Sequence, residues 1–225
     1  MAHIAPRQIF AHQIEHLVCL SLLLAGLYGL SRTAGFLDGQ LLGLDTGTWV
    51  VLAVSNAIAH QVFVWFCWRT ELYAGLPTRW FGAAAFPIYA TLFSVLILCR
   101  PVLVTAVAVS NAGSFDASRA LALSLAGVCT VLAAYVGYSV RRYFGFLRAF
   151  GIDHFDTRYR TIPLVRSGIF RWVSNPMYVF GLLLLWVPGL VAQSSAALGV
   201  ALFSHAYIWV HYFFTERPDM REIYG

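Results

Sequence analysis

The stretch Arg171–Trp186, RWVSNPMYVFGLLLLW, passes from polar residues through an Asn-Pro step into an almost wholly apolar run. Proline suits the first turn of a helix, because its missing N–H leaves no hydrogen bond unmade there. Asparagine is favoured directly before a helix, where its side chain can accept a backbone N–H. The stretch therefore predicts a helix that begins at Pro176, is capped by Asn175 and enters a membrane.

The composition of the whole chain supports a membrane location. Of its 225 residues, 60% are hydrophobic and 11% are charged, whereas a soluble domain carries about 25% charged residues. A chain that crosses lipid must satisfy its own backbone hydrogen bonds, which leaves helices and closed barrels, and the sequence lacks the alternation of barrel strands. We predict an all-α integral membrane protein that forms a single membrane domain over residues 1–225.

Six apolar segments approach the ~20 residues that cross a hydrocarbon core of ~30 Å. The fifth is the shortest, and the uncharged turn AQSS (Ala192–Ser195) joins it to the sixth. We therefore predict about six transmembrane helices, the last two of which form a C-terminal helical hairpin. The segments are Ile9–Leu30, Thr48–Trp68, Ala83–Cys99 (or on to Val109), Leu121–Val140, Pro176–Val191 and Ala196–Phe214.

The distribution of arginine predicts the orientation of the chain. The sequence has 15 arginines and no lysine, and six crossings would place 12 of them on the side of both termini and 3, namely Arg32, Arg100 and Arg119, on the other. Cytoplasmic loops carry the excess of positive charge. We therefore expect a multi-pass protein with both termini and the long connection Tyr143–Ser174 in the cytoplasm, and the lysine-free, alanine-rich composition favours a bacterial inner membrane.

Several kinds of chemistry are disfavoured by the residues present. Without lysine there is no Schiff base and no lysine base. The four cysteines lie apart in or beside apolar segments and are expected to pack as apolar residues. His12 and His16 share one helix face, but a metal needs more ligands than two. We expect no metal, and no nucleic acid, because the membrane topology accounts for the basic charge.

Polar residues gather at the two ends of the predicted hairpin. The arginine-rich connection Tyr143–Ser174 leads into its first helix, and Glu216 ends its second helix just before Pro218. In a hairpin these ends lie side by side, so Glu216 should face the helix start at Pro176. A carboxylate beside a helix N-terminus makes a pocket of both signs that suits a zwitterionic ligand. The alternative is an interfacial glutamate paired with an arginine such as Arg171.

The stretch GIFRWVSNPMYVFGLLLLW resembles the signature of integral-membrane methyltransferases, the group of isoprenylcysteine carboxyl methyltransferase and phosphatidylethanolamine N-methyltransferase. The family pattern runs from a Gly-aromatic-Arg stretch through His-Pro or Asn-Pro to Met and Tyr, and an apolar hairpin with an acidic pair follows. The resemblance covers residues 121–225, the expected catalytic core, while residues 1–120 match only as N-terminal transmembrane helices. The matching residues are Gly168, Phe170, Arg171, Asn175, Pro176, Met177 and Tyr178, with Thr215 and Glu216 in place of the acidic pair.

The resemblance implies S-adenosylmethionine as the cofactor, in a pocket at the cytoplasmic face. It implies that the helix start at Asn175–Pro176 takes the carboxylate of the cofactor and that Glu216 takes its amino group or ribose. Trp172 and Tyr178 would wall the adenine or the sulfonium, since aromatic faces attract cations by ~0.5–2 kcal/mol, while the glycine contact of the family is only loosely matched near Gly127. The implied cofactor residues are Arg171, Trp172, Asn175, Pro176, Met177, Tyr178, Gly127, Thr215 and Glu216.

The expected methyl acceptor is the amine of a membrane phospholipid. Asn175 in place of histidine is similar to the phospholipid N-methyltransferase branch, as are YFG at Tyr143–Gly145 and EIY at Glu222–Tyr224. Methyl transfer depends chiefly on alignment, which can contribute ~7–11 kcal/mol, but an ammonium acceptor must first lose a proton. The candidate proton acceptors are His154, Asp153, Asp156 and Glu216.

Other functions remain open at the level of the sequence. The acceptor can be an isoprenylcysteine carboxylate, a small thiol or another lipid. A sterol-type reductase that uses NADPH shares a related hairpin, but its fuller Arg-His-Pro-Asn-Tyr pattern needs a histidine where Asn175 stands. A non-enzymatic membrane scaffold is a further alternative. Transport is disfavoured, because the two halves lack paired broken helices.

Overall fold

The computed structural model describes residues 6–225, and this part of the chain is almost wholly helical. The strands found there, β1 (Gln40–Leu41) and β2 (Leu44–Asp45), form one short antiparallel hairpin. The helices are α1 (Pro6–Ile9), α2 (Gln13–Ser31), α3 (Thr46–Ala74), α4 (Leu76–Phe81), α5 (Ala85–Ser110), α6 (Arg119–Ser139), α7 (Phe146–Ala149), α8 (Pro176–Val179), α9 (Trp186–Ala192), α10 (Ser195–His211) and α11 (Arg217–Tyr224).

Tighter and wider helical turns connect these helices. A π-helical turn, Val140–Phe144, continues α6, and a second one, Tyr212–Glu216, joins α10 to α11. Turns of this wider kind occur often at functional sites. The 3₁₀ turns are Gly82–Ala84, Ile152–His154, Thr157–Thr161, Gly168–Arg171 and Gly181–Leu185.

By length and composition, five helical stretches of the described chain can cross a membrane. The fifth predicted segment is present as a shorter apolar stretch, Pro176–Ala192, so that about six segments run through the bundle. The prediction of an all-α integral membrane protein is therefore confirmed. The five long stretches are Arg7–Ser31, Thr46–Ala74, Leu76–Ser110, Arg119–Phe144 and Ser195–Tyr224.

The short segment is not one regular helix. It begins as α8, tightens into the 3₁₀ turn Gly181–Leu185 and ends as α9. Because a 3₁₀ turn rises about 2.0 Å per residue against 1.5 Å in an α-helix, the segment spans roughly 28 Å, close to the hydrocarbon thickness. It packs tightly against its hairpin partner, since a Cβ on Gly189 would lie 3.0 Å from Leu198.

The core of the bundle lies between α2, α3, α5 and α10 and is built largely from small side chains. Ala57, Ala108, Ala197 and Ala201 are each no more than 1% exposed. Small residues let membrane helices approach closely, where van der Waals contact replaces the hydrophobic effect. Within this core, the hairpin helix α10 packs against the N-terminal helices.

One end of the bundle is closed by hydrogen bonds to Asn111. Its side-chain amide donates to the carbonyls of Gly35 and Asp38, each at 2.8 Å. Its Oδ1 accepts from the Ser194 hydroxyl at 3.0 Å and from the Ala196 N–H at 3.1 Å. Hydrogen bonds to backbone and hydroxyl groups hold this end of the bundle closed. The cavity described below lies at the opposite end.

Two arginines assigned from the sequence to connections, Arg69 and Arg100, are buried within the long helices α3 and α5, and that assignment was wrong. Arg100 belongs to α5 and is 3% exposed, and its Nη2 donates to the Ala57 carbonyl at 3.1 Å. Arg69 belongs to α3 and is 1% exposed. A guanidinium that finds backbone acceptors can stay within the bundle, which hydropathy alone does not reveal. Without these two residues, the arginine split is 11 to 2.

Candidate active site

A cavity of about 640 Å³ opens at the end of the bundle where α3 and α10 finish. Its volume lies within the ~300–1,000 Å³ typical of small-molecule sites. The connection between α6 and α8 forms one wall, and the start of α8 with the end of α10 and α11 forms the other. The polar lining residues are Arg148, Asp153, Arg166, Arg171, Ser174, Asn175, Tyr178, Tyr212, Glu216, Arg217, Arg221 and Tyr224.

The two ends of the hairpin meet inside this cavity. The Tyr178 hydroxyl, on α8, donates a hydrogen bond to the carboxylate of Glu216, in the π turn that follows α10. The Tyr178 ring is flanked by Trp209 and Tyr212, with ring centroids 6.0 Å away in each case. Glu216 therefore faces the start of the short segment at Pro176, as the hairpin geometry predicted.

Asn175 does not cap α8 in the way that the sequence predicted. Its side chain makes no capping hydrogen bond, and its carbonyl instead accepts the N–H groups of Tyr178 and Val179, both at 3.1 Å. α8 is only 4 residues long. A helix this short sums few peptide dipoles, so the positive potential of the cavity has to come mainly from side chains.

Five arginines and two carboxylates line the cavity, which therefore combines both signs of charge with an excess of positive charge. Arg148 lies over the Phe144 ring at 5.5 Å, and Arg171 lies over the Trp172 ring at 5.2 Å. Guanidinium groups can grip carboxylates or phosphates with two parallel hydrogen bonds. The arrangement can hold a ligand that carries an anionic group beside a cationic one.

The connection wall is held against α11 by a small polar network. Tyr224, at the end of α11, donates to the Asp153 carboxylate. Arg148 donates to the Tyr224 hydroxyl at 3.2 Å and to the Pro163 carbonyl at 3.0 Å, and its Nε lies 3.8 Å from Asp153. These contacts fix Asp153 at the cavity, where it is 6% exposed.

Gly151 allows the connection to pass over the end of α3. Its φ is +81°, and a Cβ at this position would lie 2.3 Å from the Trp68 ring. Only glycine adopts such a backbone conformation readily and also leaves room for the indole. Trp68 then stacks on His154, with centroids 4.2 Å apart, and lines the cavity.

Beneath this wall lies a buried ion-pair cluster, here called the Arg69 clamp, which consists of Arg69, Asp219 and His154. Arg69 Nε lies 2.9 Å from one Asp219 carboxylate oxygen, and His154 Nε2 lies 3.7 Å from the other. The clamp joins α3, the connection, α11 and the first described residues. At 2.7 to 3.4 Å, the Arg69 guanidinium also donates to the carbonyls of Gln8, Ile9, Ala11, Phe214 and Thr215.

The structure separates the predicted site residues into two groups. Among the candidate proton acceptors, Asp153 and Glu216 line the cavity, whereas His154 is enclosed in the clamp, and among the cofactor candidates Trp172 points outward at 75% exposure. Gly127 lies within α6, away from the cavity lining. The predicted residues that line the cavity are Arg171, Asn175, Met177, Tyr178, Glu216 and Asp153, and those that do not are Trp172, Pro176, Gly127, Thr215 and His154.

Asp156, the fourth candidate proton acceptor, lies outside the cavity lining. Arg158 donates to its carboxylate at 2.7 to 3.1 Å through side-chain and backbone N–H groups. These hydrogen bonds hold the pKa of Asp156 below its ordinary value, because they favour the charged form. Asp156 is therefore a weak base at a distance from the pocket.

Several lining residues were not identified from the sequence. Trp68 comes from the N-terminal half, outside the stretch that carries the resemblance, and no local motif marks it. Arg148 was noted only as one arginine of the connection, and Tyr224 only as part of the EIY match. Phe144 was noted only as part of the YFG match, and Met220 carries no distinguishing pattern. The available signal was the concentration of arginine and aromatic residues in the connection and the last helix.

Residues 121–225 match the model of the phospholipid methyltransferase family. The chain is 37% identical over 76 residues to phosphatidylethanolamine N-methyltransferase of Talaromyces marneffei, a match that covers 34% of this chain and 7% of that protein. It is 38% identical over 80 residues to the enzyme of the same name from Aspergillus terreus, covering 35% of this chain and 8% of that protein. The matches thus span less than a tenth of these curated relatives. No solved structure matches.

Proposed function

We propose that this chain, whose residues 121–225 match the model of the phospholipid methyltransferase family, transfers a methyl group from S-adenosylmethionine to the amine of a membrane phospholipid. One observation carries the proposal: the hydrogen-bonded pair Tyr178 and Glu216 and five arginines line the same cavity. S-adenosylmethionine, when bound, supplies a methyl group on a sulfonium. The chain has to hold that cofactor, admit the acceptor and remove one proton.

The lining chemistry fits the cofactor. Arg148 and Arg171 offer guanidinium donors to a carboxylate, in place of the helix cap expected at Asn175. Glu216 and Asp153 can accept from an ammonium or from ribose hydroxyls, and Asp153 Oδ1 makes no hydrogen bond within the described residues. The aromatic lining residues can face a sulfonium or an adenine ring.

Glu216 is the lining carboxylate best placed to receive the proton of an ammonium acceptor. Asp153 already accepts a hydrogen bond from Tyr224, and Arg148 Nε lies 3.8 Å from its carboxylate. Glu216 accepts one side-chain hydrogen bond, from Tyr178, and forms no ion pair with an arginine among residues 6–225. Besides its contact to the cofactor, we assign Glu216 a second role: it positions the acceptor amine and receives its proton, with Tyr178 orienting the carboxylate.

The test supplies labelled S-adenosylmethionine to the purified protein with two acceptors in separate reactions. In liposomes that contain phosphatidylethanolamine we expect label in the lipid fraction, and with a farnesylated cysteine we expect none. Label only on the farnesylated cysteine would show that the acceptor is not a phospholipid amine, while the methyltransferase reaction itself would stand. No transfer to either, together with no binding of S-adenosylhomocysteine, would refute the proposal.

We further propose that both termini and the connection Tyr143–Ser174 face the cytoplasm, supported by the remaining arginine split of 11 to 2. Thr157→Cys in the connection and Leu42→Cys in the turn between β1 and β2 are exposed positions at opposite ends of the bundle. In intact cells, an impermeant maleimide should label Leu42→Cys and spare Thr157→Cys, with the unsubstituted protein as background. The reverse pattern would invert the topology.

A further inference from the structure

A second hollow, here called the lateral groove, lies beside the cavity and has a volume of about 390 Å³. Arg217 and Arg221 line both the groove and the cavity, and they stand one turn apart on α11. Pro218 lines only the groove, whereas Met220 and Tyr224 line only the cavity. α11 is therefore the partition between the two spaces, and its arginines stand on the boundary.

The groove combines apolar and basic side chains. Phe213 and Phe214 supply the apolar part, and Phe213 is 48% exposed with the Arg217 guanidinium 6.0 Å from its ring. His12 adds a further basic group at the start of α2. Glu15 lies beside the groove, with its carboxylate 3.8 Å from His12 Nδ1.

α11 carries two carboxylates, and neither lines the groove: Asp219 is buried, and Glu222 is exposed outside the lining. Asp219 is 0% exposed and is held by Arg69 in the clamp, so it does not neutralise the arginines on either side of it in the sequence. Phe213 and Phe214 belong to the turn that leaves the apolar helix α10, whereas Arg217 and Arg221 follow on the polar last helix. The groove thus passes from hydrocarbon depth to headgroup depth, where each basic residue attracts anionic lipid by ~1 kcal/mol.

We propose that the lateral groove holds the glycerol and phosphate end of the acceptor phospholipid, with the phosphate on Arg217 and Arg221 and the amine directed into the cavity. This inference rests on the proposed function and names the acceptor subsite within it. Because Arg217 and Arg221 line both spaces, a phosphate bound to them lies beside Glu216. The ethanolamine arm of the headgroup then reaches from the groove into the cavity. The acceptor then reacts without leaving the membrane.

The test uses a phosphatidylethanolamine with a photoreactive diazirine near the glycerol end of one acyl chain, in neutral maltoside micelles that contain no other phosphate. We expect cross-links on the peptide that contains Phe213 and Phe214. Excess phosphatidylethanolamine should suppress them, and diacylglycerol, which lacks the phosphate, should not. Cross-links located elsewhere, or equal competition by diacylglycerol, would overturn the inference.

A matched pair of variants tests the charge of the groove. His12→Asp places an anion in the groove at a left-handed position that aspartate tolerates, and Gln13→Asp adds an acidic residue one position along, outside the groove lining. We expect His12→Asp to lower cross-linking and raise the KM for phospholipid by about fivefold, and to leave the binding of S-adenosylhomocysteine unchanged. Equal behaviour of the two variants would contradict the proposal.

The two proposals fail in different ways. If the wild-type protein transfers methyl groups to phospholipid but the probe does not mark the groove, the acceptor lies elsewhere and the groove inference is wrong. If the probe marks the groove with phosphate-dependent competition but no methyl transfer occurs, the groove remains a phospholipid site and the proposed reaction is wrong.

Discussion

Replacing Arg69 by methionine is expected to lower the stability of the protein more than any other single change considered. Arg69 is 1% exposed and its partner Asp219 is 0% exposed, so the substitution leaves a buried carboxylate without its counter-charge. Breaking a buried pair in this way costs roughly 3–5 kcal/mol. For a chain of this size, the thermal unfolding midpoint should fall by about 10 °C, and it can be followed in detergent by the fluorescence of the tryptophans.

The control for this experiment is Arg79→Met, which removes an exposed arginine of α4. It should leave the unfolding midpoint close to that of the wild type. The double variant Arg69→Met/Asp219→Leu removes both charges and should recover part of the loss, because an apolar pair of similar volume often replaces a buried ion pair at little cost. Equal midpoints for Arg69→Met and Arg79→Met would show that the clamp contributes nothing.

Loss of the clamp should also abolish cofactor binding, because it joins the three segments that form the cavity walls. Trp68 on α3, Gly151 in the connection and Glu216 beside α11 all line the cavity. Since Trp68 and Arg69 come from the first 120 residues, they support the proposal that residues 1–225 act as one membrane domain. The N-terminal helices then do more than anchor the part that matches the family.

The membrane fold could be predicted from the sequence because lipid leaves few choices. Long apolar runs in a bilayer must become helices, so hydropathy located the six segments, and the proline at position 176 does begin α8. It ended the second segment at Trp68, whereas α3 runs to Ala74, and it left open whether the third ended at Cys99 or Val109, whereas α5 runs to Ser110. The break at Gly181–Leu185 was not predicted, because the run of leucines favours a continuous α-helix. Pro188 works against that preference, since it lacks the N–H that would bond the Leu184 carbonyl.

The site was predictable where one local rule applied. Hairpin geometry placed Glu216 beside the helix start at Pro176, but neighbouring residues of a motif point in different directions, since successive residues on a helix are rotated by about 100°. Thr215 is therefore buried while Glu216 lines the cavity. Trp68 and Arg69 lie far from the motif in sequence, and their contacts form through space, which leaves no periodic signal.

Among substitutions that leave the fold intact, Glu216→Gln is expected to have the largest effect on cofactor binding. Glutamine keeps the size of the side chain and an oxygen that accepts from the Tyr178 hydroxyl, so the substitution removes the charge and little else. If Glu216 holds the amino group or ribose of the cofactor, S-adenosylhomocysteine should bind at least about tenfold more weakly, which corresponds to about 1.4 kcal/mol. Isothermal titration calorimetry measures this difference directly.

The control is Glu222→Gln, which removes an exposed carboxylate from α11 without touching the cavity lining. Both variants lose one negative charge near the same surface, so a general electrostatic effect would weaken binding equally in each. If Glu216 contacts the cofactor directly, only Glu216→Gln should weaken binding.

The unfolding midpoint of the unliganded Glu216→Gln protein should stay near that of the wild type, because the hydrogen bond to Tyr178 is kept. This measurement separates loss of the ligand contact from loss of the fold. Wild-type affinity in Glu216→Gln would remove Glu216 from the cofactor site and leave Asp153 as the lining carboxylate that can take that role.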